Sequence, residues 1–401
     1  MKYIKQENYS YKANDSSATK EDTLSLLDQV TEQKELLQNI KEEFPLNENL
    51  NIDGTEPAIN LFNEIDNKKY DYDLSLNDLE SLDFKRVDSG SNNFELRFSV
   101  VSEKDHKLLI RDVETIYDAK KKLLDLLLEI NKFSNFMLRN DKRNELVAEL
   151  EKLSKDEDIN NKIFNFRFIS SEGKEFLRSV VTKNRYKTYD NPIIFYISLI
   201  IIHNLSKDTN QKFYLDRMQI SDSKLNASFL EKSGSEIGDG IKVKTGLLIS
   251  NSELGDGAAK FNAEYEVENT EGKKVTVIKD TLATINHGNN PNTIKDNLKK
   301  SKKLKENQKE TISAVKKIKW NNDIKQKDVL KLMASISHVK NAPQNLKEAM
   351  KKSIYQIDLT KQAYNVLEIF DKLDGFLKDE DPDIALILES KFDQWLTKLE
   401  L

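Results

Sequence analysis

Through much of the chain apolar residues recur at steps of three and four, the spacing that gives a helix one buried face. Between Glu21 and Glu43 the positions Leu24, Leu26, Leu27, Val30, Leu36, Leu37 and Ile40 keep this step. They predict an amphipathic helix that Phe44-Pro45 ends, because the residue before a proline is pushed out of the helical region. Residues 1–18 carry no such pattern and read as disordered or as an arm. From Leu46 to Leu82 the pattern is broken, with helical turns at best, although Leu61, Phe62, Ile65, Tyr70, Tyr72 and Leu74 need a surface to pack on. At Phe84 the period changes to two, and two short strands joined at 89–93 read as a hairpin ending near Val101. Helical steps resume from Ile110 to about Asn140 (Ile110, Val113, Ile116, Leu123, Leu124, Leu127, Ile130), and a second helix follows over Arg143–Leu153.

The next stretch alternates. IFNFRFI at 163–169 reads as a strand, and Glu172-Gly173 as a turn. Asn191 is a favourable N-cap and Pro192 a favourable first helical residue, whose missing N–H costs nothing there. The helix they open is apolar on nearly every face from Ile193 to Ile202, so it is expected to be buried. Strands follow at Phe213–Ile220, Ala227–Leu230, Ile241–Ser250 and Phe261–Glu268, the last pairing with Lys273–Lys279 across a turn at 270–272. Helical steps return over 293–318, 325–338, 346–370 and 384–399. The fold class is therefore α+β: a central, largely antiparallel sheet with a buried helix, flanked by helical N- and C-terminal regions. The divisions are 1–83, 84–159, 160–288 and 289–401.

Charge changes this picture more than length does. The net charge of −5 hides a split. Residues 21–89 hold eighteen acidic and six basic side chains, about −12, whereas 291–340 holds fourteen lysines and five carboxylates, about +9. The two segments can neutralise each other, or the acidic one can shield a basic surface until a polyanion competes for it. The chain has no cysteine, which removes disulfides and thiolate metal ligands. Its strongest apolar run, around 193–205, is shorter than the roughly 18–20 residues that span a bilayer. No membrane partner is expected, and a reducing cytoplasm suits the composition. Self-association through exposed helices is expected to be open to it.

Eight of the twelve glycines lie between Gly234 and Gly288, in a region that includes GSEIGDGIKVKTGLLISNSELGDG. Within it, Ser250, Asn251, Ser252, Glu253 and Gly255 form the most distinctive constellation. One reading is a strand end closed by side-chain turns, with a glycine at positive φ. A second is an anion nest of hydroxyls and glycine N–H groups. A third takes Asp239, Glu253 and Asp256 as hard oxygen ligands for Mg²⁺. The four histidines (His106, His203, His287, His338) show no ligand spacing, and no nucleophile motif is visible.

The order FRFISSEGKEFLRSVVTKNRYKTYDN, then a buried helix, then GDGIKVKTGLLISNSELGDGAAKF resembles the phage/plasmid-like family of uncharacterised proteins (domain of unknown function 932). Arg178, Tyr186, Tyr189, Asp190, Asn191, Gly246, Ser250, Asn251, Ser252, Glu253 and Gly255 carry the resemblance, over about 160–290. It implies a bacterial cytoplasmic protein of mobile-element biology and brings no activity with it. The expectation that follows is non-enzymatic binding to DNA or to a DNA-processing protein. Arg178, Arg185 and Lys187, with Lys299, Lys300, Lys302, Lys303, Lys316, Lys317 and Lys319 of the lysine-rich helix, are the expected phosphate contacts. Alternatives are an inhibitor of host or anti-phage machinery whose acidic arm imitates nucleic acid, and a metal-dependent nuclease or nucleotide-binding enzyme.

Overall fold

A computed structural model describes residues 4–28, 30, 34–66, 69–87, 93–102, 107–183, 186–299, 303–360, 365–377 and 380–399. The chain opens with β1 (Gln6–Ser10), then α1 (Lys20–Asp28), α2 (Lys34–Glu43), β2 (Ile52–Asp53) and α3 (Thr55–Asp66). Next come β3 (Lys69–Leu74), β4 (Leu79–Arg86), β5 (Phe94–Val101) and β6 (Leu108–Thr115), followed by α4 (Ala119–Leu128), α5 (Asn131–Arg139), α6 (Arg143–Leu153) and α7 (Glu157–Asn160). The middle of the chain is β7 (Phe164–Ser171), β8 (Lys174–Thr182), α8 (Asn191–Thr209), β9 (Phe213–Ser221), β10 (Lys224–Glu231), β11 (Ser235–Gly238), β12 (Ile241–Ser252), β13 (Ala259–Asn269) and β14 (Lys274–Ile285). It ends in α9 (Pro291–Lys299), α10 (Lys303–Val315), α11 (Gln326–Ser337), α12 (Gln344–Thr360), α13 (Val366–Gly375) and α14 (Pro382–Leu396).

The class is α+β, and the strands form two sheets. The larger runs β1-β9-β10-β12-β13-β14, with β2 also on β9 and β11 also on β12. The smaller runs β3-β7-β8-β6-β5-β4. Every pairing is antiparallel except β2 with β9 and β6 with β8. The expected boundary at 160 thus falls within the smaller sheet, which takes strands from both sides of it. Of the two readings of residues 1–18, disorder or an arm, the second fits: the segment contributes β1, whose Gln6–Ser10 pair with Ser221–Arg217.

Three apolar clusters hold the layers. Helix α8 lies on the larger sheet, and fourteen of its nineteen residues are buried, so it is enclosed all round rather than along one stripe. Each large aliphatic or aromatic side chain buried there contributes about 1.5–3 kcal/mol. Helices α1–α3 complete this first cluster, with Phe62 stacked on Phe195 at 4.8 Å. A second joins the strand ends around Val243, Tyr265 and Val275 to α10–α14. In the third, the smaller sheet packs on α4–α6 through Leu123, Leu138 and Leu146.

Where the observed elements differ from those expected, the cause is local. Residues 108–115 are strand and not helix. Asp112 sits at φ 54 and the register shifts there, so buried Ile110 and Val113 stand three apart across a bulge. A bulge adds one residue to the strand's period of two, and three is also a helical step. The helices expected over 21–43, 110–140, 293–318 and 346–370 are each divided in two or shortened. In the last, Asn365 accepts the Glu368 N–H at 2.8 Å and Glu368 accepts back from the Asn365 N–H, a reciprocal cap that starts α13 afresh.

Candidate functional site

The constellation found in the sequence ends β12, and a strand's side chains alternate between its two faces. Asn251 and Glu253 turn inward, 5% and 0% exposed. Ser250 and Ser252 turn outward into a cleft. Two glycines fix the approach. A Cβ on Gly246 would lie 2.0 Å from the Phe229 carbonyl oxygen of the neighbouring strand. Gly255 has φ +72, and a Cβ there would lie 2.9 Å from Val181 of β8.

On the inner side the two sheets meet at Glu253. Its carboxylate accepts from Lys69 Nζ at 3.1 Å, from Arg178 Nη1 at 2.9 Å and from the Asn191 N–H at 2.9 Å. That last bond puts a carboxylate on the first turn of α8, where unpaired N–H groups and the helix dipole favour an anion. Asn191 was expected as the N-cap. Asp190 occupies that position instead, Asn191 is the first helical residue, and its N–H is capped from Glu253. Asn251 Nδ2 donates to the Tyr189 carbonyl at 3.1 Å and to Asn191 Oδ1 at 2.9 Å, so the strand end and the helix start are tied twice.

Arg167 crosses between the sheets. It donates through Nη1 to the Glu253 carbonyl at 2.7 Å, and it pairs with Asp71 at 3.2 Å and with Asp190. Three cations (Lys69, Arg167, Arg178) therefore face three carboxylates (Asp71, Asp190, Glu253). Burial alone pushes a carboxyl upward, yet the Lys69, Arg178 and Arg167 charges and the Asn191 N–H bring Glu253 down to about 2. At Asp71 burial wins and the carboxyl is raised. The junction is flanked by Tyr186, stacked on His287 at 4.6 Å, and burial moves that histidine below its usual range.

This geometry corrects several expected site residues. Arg178 is 1% exposed: Nη1 donates to Glu253 and to the Asp222 carbonyl, Nε to the Phe168 carbonyl, and Nη2 is buried without a partner, so burial keeps the guanidinium from a phosphate on the surface. Lys187 Nζ bonds Asn290 Oδ1, and the Lys187 N–H donates to the His287 carbonyl. Arg185, Lys300 and Lys302 lie outside the described residues. Lys299 ends α9 and Lys303 opens α10, while Lys316, Lys317 and Lys319, just past α10, are exposed. The Mg²⁺ ligand set does not assemble. Asp239, at φ 53, turns at the far end of the twelve-residue β12 from Glu253, roughly 35–40 Å away at the rise of a strand. Glu253 is saturated by cations, and Asp256 accepts from Ser252 Oγ at 2.5 Å. Among the described residues no group of three His, Cys, Asp or Glu side chains is placed to hold a metal ion.

The outer side is an open cleft of about 440 Å³ between the ends of β10 and β12–β14 and helix α14, with Ile278, Leu386 and Ile387 as its apolar wall. Ser250, Ser252, Asn226, Asn262 and Thr281 line it with hydroxyls and amides. Lys224, Lys260 and Lys279 set three positive charges against Asp256 and Asp383. Lys224 pairs with Asp383, whereas Lys260 is exposed. Sequence reasoning passed over these lysines and also Lys69 and Asp71. Lys260 and Lys279 signal themselves only as polar positions in alternating strands, and their meeting depends on the register of β13 and β14.

Fold and site together define an α+β protein whose two sheets are joined by a buried, charge-neutral junction beside an open cleft of mixed lining. No known family, curated protein or solved structure matches the chain.

Proposed function

We infer that this is a non-enzymatic protein that binds nucleic acid, most directly DNA, through the phosphate backbone at the outer cleft. One observation carries the reading: the strand that locks the sheets with Asn251 and Glu253 turns a half-buried Ser250 into the cleft beside exposed Lys260 and half-buried Lys279, while Ser252 Oγ is held by Asp256. Hydroxyls and amides donate to phosphate oxygens while lysines release counterions, which is the chemistry of sequence-independent backbone contact. Exposed Lys316, Lys317 and Lys319 lie at the opposite, Asp239 end of β12, where Asn321 bonds the Asp239 carbonyl, and so stand apart from this cleft. The resemblance to phage- and plasmid-type proteins agrees with such a role, in a bacterial cytoplasm and alongside a DNA-processing partner. No described helix is long and apolar enough to cross a membrane. The acidic segment 21–89 enters the apolar clusters through α1–α3, β3 and β4, which disfavours its use as a free imitation of nucleic acid.

The test is fluorescence anisotropy with labelled single- and double-stranded oligonucleotides at two salt concentrations. Binding is expected to fall steeply with salt, and Lys260→Glu/Lys279→Glu is expected to lower the salt slope by about 2. Absence of binding at low salt, or a slope unchanged in the double variant, rejects the reading.

A further inference from the structure

Helix α5 is turned inside out. Asn131 (9% exposed) and Ser134 (0%) occupy its inner face together with Leu138, and Ser134 Oγ donates to the Ile130 carbonyl at 3.0 Å. Its outer face carries Phe133 and Phe136, 49% and 60% exposed, one helical turn apart. Leu126 of α4, 38% exposed, belongs to the same hairpin. Burying a phenylalanine is among the larger gains open to a helix. A helix that buries two polar residues and presents two rings forgoes that gain. Lys132, Arg139 and Lys142 are exposed beside the rings, against Glu129 and an Asp141 that already pairs with Arg86. The hairpin is also rooted at the motif: Lys122 of α4 donates to the Leu254 carbonyl, next to Glu253.

We propose that α5 is a stacking platform for unpaired nucleobases, with Phe133 and Phe136 taking the bases and Lys132, Arg139 and Lys142 the adjoining phosphates. Exposed rings interleaved with cations are how single strands are held without sequence preference, because every base has a π-face. The three cations select a polyanion over a neutral or basic protein surface. Size selects it over a lipid surface, since an interfacial helix needs an apolar face along its length and nine-residue α5 shows two rings. The proposal rests on the nucleic-acid reading above and adds a preference for single strands that the cleft alone does not supply.

The experiment compares the full chain with Phe133→Ala/Phe136→Ala, Phe133→Tyr/Phe136→Tyr and Lys260→Glu/Lys279→Glu, using labelled oligothymidylate and a duplex of equal length. Melting curves report the fold of each variant. The alanine pair is expected to weaken single-strand binding on the order of tenfold per ring while leaving duplex binding in place. The tyrosine pair is expected to retain it. The cleft pair is expected to weaken both ligands, so failure of the cleft and failure of the platform read differently. An alanine pair that binds oligothymidylate like the parent overturns the platform. So does a parent whose only ring-dependent property is binding to anionic vesicles, or self-association measured by sedimentation.

Discussion

Glu253→Gln removes one negative charge from the junction where three cations meet three carboxylates. The glutamine keeps an acceptor for the Asn191 N–H, but its amide sets a donor against Lys69 Nζ or Arg178 Nη1, both of which are donors. Two routes give the size of the loss. Removing one partner of a buried pair costs about 3–5 kcal/mol because a charge is left unpaired. Separately, the fall of the carboxyl from 4.5 to about 2 corresponds to about 3 kcal/mol of folding free energy. The sign is fixed by that depression. The contribution is complete above the unfolded value near 4.5 and is lost as pH falls towards 2. Urea unfolding at pH 7 should therefore show Glu253→Gln less stable by about 3 kcal/mol or more, with the difference shrinking below pH 4.5. A loss under about 1 kcal/mol at pH 7, or a difference that does not shrink in acid, would mean that Glu253 is not the electrostatic centre of the junction.

Two further outcomes test the larger sheet. Burial raises Glu264 to about 7, against the opposing pull of Arg217, which also holds Glu389 on α14 at 2.8 Å. A raised carboxyl favours the folded state below the unfolded value near 4.5, and that contribution is lost as pH climbs through 7. Urea midpoints of the parent should decline across this window, and Glu264→Gln should flatten the decline; an unchanged slope would count against it. Gly246→Ala should cost about 1–3 kcal/mol, because its methyl would lie 2.0 Å from a carbonyl oxygen that belongs to a paired strand. A melting temperature equal to the parent's would show that β10 and β12 can part without cost.

The elements most legible in the sequence are those whose pattern follows one rule. Strands β9, β10 and β12 to β14 alternate apolar and polar, and α8 is apolar all round, so these are visible from single residues, whereas the short β11 was not expected. The failures have physical causes of two kinds. Bulges at Asp112 and at Ser81, both at positive φ, convert a step of two into a step of three and imitate a helix. Long-range pairing is the other cause: Glu253 meets Asn191 across 62 positions and Lys69 across 184. Spacing along the chain carries no trace of either contact. Arg167 shows the limit well. It stands between Phe166 and Phe168 in an alternating strand, which says that it faces away from them. Nothing local says that this other face is also covered, and so that an arginine there must find carboxylates and not solvent.

The junction also decides how binding experiments on this protein are to be read. Arg178 and Glu253 belong to a neutral set, so changing either leaves a buried charge and loosens the seam between the sheets. Ser250 and Ser252 hang from the same strand and would move with it. Loss of nucleic-acid binding in an Arg178 variant would then arise without any phosphate contact at Arg178, which is 1% exposed. Variants at Lys260, Lys279, Phe133 and Phe136 avoid this confusion, since they touch neither the junction nor the buried helix it caps. The inner residues of the motif give the strand its position, and the outer ones inherit that position for contact. A fall in affinity means contact only where the melting temperature stays put.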